Sequence, residues 1–397
     1  MTEAADLRRL FPGTQGQVYL DQSVRGLVPT PVVEAAQAHL RERLLGTGDK
    51  AAFQASVERS RTLVAGLLGA DPDEVAVTKN VSEGLNLFVS SLPWDRGDNV
   101  VICPDVEHPN NVFLWYNLQK LHGVEVRAVE ARGGHVPADA MEAAMDRRTR
   151  AVTVPHVSFS PGFVTDVRSV ADAAHARGAL VWVDAAQSVG VVDARVGALG
   201  ADALAVATQK GLLALYGYGF LYVRRGVAQG LIPRHVARYG MDLGVEAGET
   251  ARTGGVNLPF AAAARRFDVG NYNYLGARAA TAALEVITSV GVPRIEAHVR
   301  ALAARLAAGF LALGLPVAGG PPGPHLAHIV AVGERGGAHH DSADDPAMNR
   351  LHRHLADGGV RHSIRKGVLR FSVGVYNDDV DIDAALALAG EWVAAGR

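Results

Sequence analysis

The chain has 397 residues, 48% hydrophobic and 20% charged, with a formal net charge of −2 and a single cysteine, Cys103. That length exceeds one core of ordinary size, so a large domain with a smaller companion is expected. The near-neutral charge excludes a global basic field for nucleic acid or an anionic membrane surface, and no apolar run approaches the roughly 20 residues of a membrane helix.

Residues 1–20 read as an N-terminal segment. Their start, MTEAADLRRLFPG, lacks the roughly 7–15-residue apolar core of a signal peptide. A lone cysteine cannot close an intramolecular disulfide, and its setting, VVICPD, reads as a buried strand end. Both features point to the cytoplasm. From about residue 60, helical patterns alternate with short apolar runs: EVAVT, NVVICP, VEVRAVE, AVTVPHVS, LVWVDA, ADALAVA and GFLYVRR. Strands separated by helices predict an α/β large domain over 21–265, with a mostly parallel central sheet and its ligand beyond the carboxyl ends of the strands.

A polar, Gly-rich stretch, GETARTGGVNLPF, precedes RRFDVGNYNYLG, and a helical region over about 275–313 follows, broken near SVGVP. The runs HIVAVG, GVRHSIRKG and VLRFSVGVYN, with a helix from about residue 381, predict a smaller α+β C-terminal domain, which with its connecting helix covers 266–397. His339 and His340 are adjacent without further ligands, so no metal is expected.

Two strand ends carry chemistry. LVWVDAAQSVG ends a strand on Asp184, and TQKG places Lys210 after the next. A lysine becomes a nucleophile towards a carbonyl when burial lowers its pKa. A carboxylate nearby is useful where a ring nitrogen must stay protonated, and pyridoxal 5'-phosphate requires both groups at once. Taken singly, a surface lysine or a helix-capping aspartate would explain either residue.

The pieces TKNVSEGLN, EHPNNVFLW, SFSPGFVTDV, VDAAQSVG, TQKGLLALYGYGFLYV, RRFDVGNYN and LRFSVGVYN follow one another in the order found in class V aminotransferases. From about Tyr19 onwards the chain resembles that group of fold-type I pyridoxal-phosphate enzymes, which also holds cysteine desulfurases and isopenicillin N epimerase. The resemblance implies Lys210 as the catalytic lysine that takes the cofactor aldehyde and Asp184 as the partner of the pyridine nitrogen. Gln187 would face the phenolic oxygen. Asn80, Val81 and Ser82, before a helix, would hold the phosphate at its positive end, with Gln209 beside them. His108 would stack on the ring and move protons. Asn271 would reach the phosphate of a neighbouring subunit, which implies a homodimer with shared active sites. Arg370 would clamp a substrate α-carboxylate, and Gln22 and Arg25, in YLDQSVRGLVP, would line the substrate entrance.

Three departures stand out. GVRHSIRKGVLR has Ser363 or a neighbour where desulfurases carry a catalytic cysteine, Gln209 replaces a histidine, and Phe159 replaces an asparagine. A thiol-dependent cysteine desulfurase is therefore not expected. The resemblance implies an enzyme acting at Cα of an amino acid, aminotransferase-like and in specialised metabolism. A β-eliminating C–S lyase and an amino-acid epimerase are the alternatives. A non-catalytic scaffold on the same fold is the contrasting reading, against which the full set of Lys210, Asp184, His108 and Arg370 argues.

Overall fold

The computed structural model describes residues 4–243, 259–336 and 341–396. Most of the stretch GETARTGGVNLPF and both His339 and His340 lie outside the described residues. Twelve strands are described: β1 (Val18–Tyr19), β2 (Val75–Thr78), β3 (Asn99–Ile102), β4 (Glu125–Ala128), β5 (Thr149–Pro155), β6 (Leu180–Asp184), β7 (Ala203–Ala207), β8 (Gly219–Val223), β9 (Ile329–Val332), β10 (Val360–Arg361), β11 (Ser363–Arg365) and β12 (Val368–Ser372).

All seven apolar runs become strands of one sheet, in the order β2-β8-β7-β6-β5-β3-β4. Pairing is parallel except around β8, which runs against both β7 and β2. Residues of period two divide between two cores. In β6, Val181 and Val183 enter one cluster while Trp182 enters the other, stacked on Phe88 with ring centroids 5.6 Å apart. Covering both faces is what a mostly parallel sheet requires, and it explains why the inner runs are apolar throughout, while the edge strand β4 alternates and stays exposed or half-buried.

The helices start and stop where the local chemistry dictates. Asp49 caps Lys50–Leu68 by accepting from the Ala51 and Ala52 amides, and Gly69 ends it in the left-handed region. The long helical region is two helices, Tyr274–Val290 and Val292–Ala312, bent by 79° at Gly291. No single helix among the described residues is long and apolar enough to cross a membrane.

In the C-terminal part β12 lies between β11 and β9, both antiparallel to it. The N-terminal β1 pairs with β10, and Asp21 bridges to Ser372. The first strand of the chain is thus tied to the last sheet. This docking carries the segment after β1, residues 21–26, across to the carboxyl edge of the large sheet, where the Gly26 amide donates to the Gln209 carbonyl (2.8 Å).

Candidate active site

Four strands of the large sheet, β2, β3, β6 and β7, end at the same edge, and the segments that follow them meet around one cavity of about 280 Å3. Lys79, Asn80, Val81 and Ser82 come from the segment after β2, His108 and Asn111 from that after β3, and Asp184 from the end of β6. Gln209, Lys210, Tyr216 and Gly217 come from the connection between β7 and β8. The sequence-predicted Asn80, Val81, Ser82, His108, Asp184, Gln209 and Lys210 therefore share one cavity.

Helix Val81–Ser90 points its N-terminus at this space. Asn80 is its cap, the side chain accepting from the Glu83 amide at 2.9 Å. The amides of Val81 and Ser82 belong to the first turn, where no intrahelical acceptor exists, and both residues line the cavity. This end favours an anion.

Asp184 is 7% exposed. Its Oδ1 accepts from the Ala186 amide at 2.8 Å and its Oδ2 from Nδ2 of Asn111. The same Nδ2 donates to Oε2 of Glu107 (3.4 Å), a side chain 1% exposed. Burial raises the pKa of Asp184, while the charge on Lys210 and the Ala186 amide oppose the rise. At Glu107 burial again leads, and the charge of Asp184 adds to it, so Glu107 stands well above the usual carboxyl range. Lys210 opens onto the cavity, but its surroundings are dry enough that desolvation lowers its pKa to about 8 against the pull of Asp184.

His108 accepts from the Asn110 amide through Nδ1 (3.2 Å), which leaves the proton of the neutral ring on Nε2. Its ring meets Phe159 edge-on at 4.9 Å between centroids. Phe159 also lies under the Arg370 guanidinium at 5.0 Å, and its carbonyl accepts from Arg370 at 2.8 Å. Arg370 is fully buried, and desolvation lowers it to about 9, with Arg365 adding to the effect and Asp21 opposing it.

Five predicted residues do not line this cavity. Gln187 is buried, its Nε2 donating to the Ser23 carbonyl at 2.9 Å. Gln22 is 2% exposed, while Arg25 is exposed at the surface. Arg370 stands behind Phe159, and its charge is felt at Lys210. Asn271 lies in a different surface cavity with Arg238, Tyr239 and Gly270. Sequence reasoning missed Glu107 and Asn111, although both stand in the EHPNN run that singled out His108. Their position four residues apart was the available signal, but nothing local shows that the turn between them folds onto Asp184. Cys103 is fully buried at the end of β3, and burial pushes its thiol up to about 12. Among the described residues no group of three or more His, Cys, Asp or Glu side chains could hold a metal ion.

A family model described as aminotransferase class-V matches residues 18–385. A protein of Methanothermobacter thermautotrophicus named probable cysteine desulfurase is 34% identical over 385 residues, covering 90% of this chain and 92% of the relative. A protein of the same name from Pyrococcus abyssi is 30% identical over 404 residues, covering 98% and 97%. Among solved structures, the apo cysteine desulfurase of Thermococcus onnurineus NA1 superposes with a TM-score of 0.84 at 27% identity, covering 98% of each chain.

Proposed function

From the premise that this chain belongs to the aminotransferase class-V family, we infer that it is a pyridoxal-phosphate enzyme that breaks the Cβ–S bond of a sulfur-containing amino acid. The observation that carries the cofactor is the single cavity joining Lys210, Asp184 and the first turn of helix Val81–Ser90. An amine of lowered pKa, a buried carboxylate and an anion-binding helix end are the three groups the cofactor's aldehyde, ring nitrogen and phosphate require, so the residues fit it.

When bound, the cofactor supplies an electron sink for the pair released at Cα. Lys210 would hold its aldehyde and would be the base for the Cα proton. Asp184, fixed by Asn111 and the Ala186 amide, keeps the ring nitrogen protonated. The Val81 and Ser82 amides, with the Ser82 hydroxyl and Gln209, hold the phosphate. Gln187 serves the phenolic side, and His108 covers the ring. Arg370 receives the substrate carboxylate, while Gln22 and Arg25 belong to the entrance side. Asn271, on a separate surface, is the residue that serves a second copy of the chain in a homodimer.

Relatives named cysteine desulfurase support sulfur in the substrate. Cys103, the one thiol of the chain, does not line the cavity. Without a protein thiol to receive it, sulfur leaves with the bonding pair as hydrosulfide, and cysteine plus water gives pyruvate, ammonium, hydrosulfide and a proton. This ordering puts the C–S lyase, an alternative in the sequence reading, ahead of the aminotransferase that stood first there.

The test is to incubate the cofactor-loaded protein with L-cysteine and L-cystine and to quantify keto acid, ammonium, alanine, sulfide, persulfide and pyridoxamine phosphate. Equal pyruvate and ammonium is the expected result, with sulfide released from cysteine and cysteine persulfide from cystine. Alanine in place of pyruvate, or pyridoxamine phosphate accumulating without sulfide, overturns the reading.

A further inference from the structure

We propose that Glu107 is a positioning residue that acts as a neutral carboxylic acid: it anchors the Asn111 carboxamide so that one amide hydrogen stays on Asp184, leaving Asp184 the single anion at the cavity floor. The inference extends the proposed function, in which Asp184 must be charged to hold a ring nitrogen.

The geometry is a chain of three side chains from two segments. Asn111 Nδ2 has two hydrogens and two acceptors, Glu107 Oε2 at 3.4 Å and Asp184 Oδ2. All three residues are buried, with Glu107 and Asn111 each 1% exposed. Two buried oxygens of this chain, Glu107 Oε1 and Asn111 Oδ1, have no hydrogen-bond partner in the structure. An ionised carboxylate can only accept, so with both acids charged these orphans would stay unmet while two negative charges share one amide. A proton on Glu107 turns one orphan into a donor and removes the repulsion. Lys210 and the Ala186 amide face Asp184, so the charge belongs there. The other groups facing Glu107 are Cys103 at the end of β3, Lys366 from the C-terminal part and the His108 amide, the last two favouring its charged form, while Asp105 and Arg335 stand next to Cys103 and Lys366. Lys366 Nζ and Arg335 are both hydrogen-bonded to the Asp105 carbonyl, at 2.6 and 2.7 Å.

Glu107→Gln retains the shape, accepts from Nδ2 and cannot ionise, whereas Glu107→Leu removes the anchor. Urea unfolding of the full-length chain without cofactor at pH 5, 6 and 7 isolates the proton. A glutamate that keeps its proton on folding loses stability as pH rises above its unfolded pKa. The unfolding constant of the wild type relative to Glu107→Gln is therefore expected to rise about tenfold per pH unit until Glu107 ionises in the fold. A ratio that stays flat over these values overturns the neutral acid. Titration with pyridoxal phosphate at pH 7 isolates the positioning: Glu107→Gln is expected within about twofold of wild type and Glu107→Leu at least about tenfold weaker. Equal weakening of both, or none in Glu107→Leu, overturns the anchor. A wild type that fails to bind the cofactor would overturn the proposed function instead, and the unfolding ratio would still decide the state of Glu107.

Discussion

At the scale of single residues, the site is set by how much water each charge keeps. Lys210 faces an aspartate that would hold it protonated, yet dehydration prevails and its pKa falls to about 8. Below that value the amine is charged and cannot attack a carbonyl. The rate at which the cofactor-free chain takes up pyridoxal phosphate is therefore expected to rise with pH, with a midpoint near 8 rather than the 10.5 of an ordinary lysine, as stopped-flow absorbance can show. Lys210→Ala should remove this uptake. Arg370 presents a second case. Its Nε is buried without a partner in the structure, while a terminal nitrogen is held by the Phe159 carbonyl. A planar fork pinned in this way suits a carboxylate, which a point charge would meet on one oxygen only. Arg370→Lys should raise KM for the amino acid by roughly 10–100-fold with a smaller change in kcat, measured by steady-state kinetics.

Among the elements, the loops decide more than the strands do. The seven strands and the gathering of Asp184 and Lys210 at their ends were legible because period, length and polarity are local properties. Three things were not. The reversal of β8 leaves no mark in GFLYVRR, since a strand buried on both faces reads the same in either direction. The Glu107–Asn111 turn depends on where β6 ends, 73 residues after Asn111 in the chain. Phe159 looked like the mere loss of an asparagine, whereas its ring fills the space between His108 and Arg370. Close approach of backbones was equally hidden. A Cβ on Gly26 would lie 2.6 Å from the Lys210 carbonyl oxygen and 2.9 Å from Leu213 Cδ2. Gly26→Ala must displace the segment that carries the lysine, and a cost of about 1–3 kcal/mol is expected in urea unfolding, together with weaker cofactor retention. A variant as stable as wild type, with unchanged retention, would show that the 21–26 loop yields freely.

For the molecule as a whole, one buried network ties the sheet to the segment bearing Asn271. Asp268, fully buried, accepts from the Val77 amide at 2.8 Å, from Arg61 at 2.9 Å and from the Tyr272 hydroxyl at 2.7 Å. It anchors the edge strand β2 and both ends of the turn holding Gly270 and Asn271. Removing Asp268 leaves the Val77 amide without its acceptor and the buried Arg61 guanidinium with only Glu58 and the Val75 carbonyl. Asp268→Ala should therefore cost about 3–5 kcal/mol, a loss that urea melts would register. If the turn also serves a second subunit, cofactor affinity should fall with it. The reversed strand β8 carries a further consequence, for the order of assembly. Because it turns back, residues 208–218 leave and re-enter the same sheet edge, closed by the Thr208 amide on the Tyr218 carbonyl at 3.1 Å. Joining Asn111 to Asp184 closes a far longer excursion, at an additional chain-entropy cost of roughly 1.7 kcal/mol. The wall bearing the lysine is thus a local hairpin that can form first, and its aspartate acquires its donors later. Pulse-labelled hydrogen exchange during refolding should protect amides of β7 and β8 before that of Ala186, and the opposite order would refute this sequence of events.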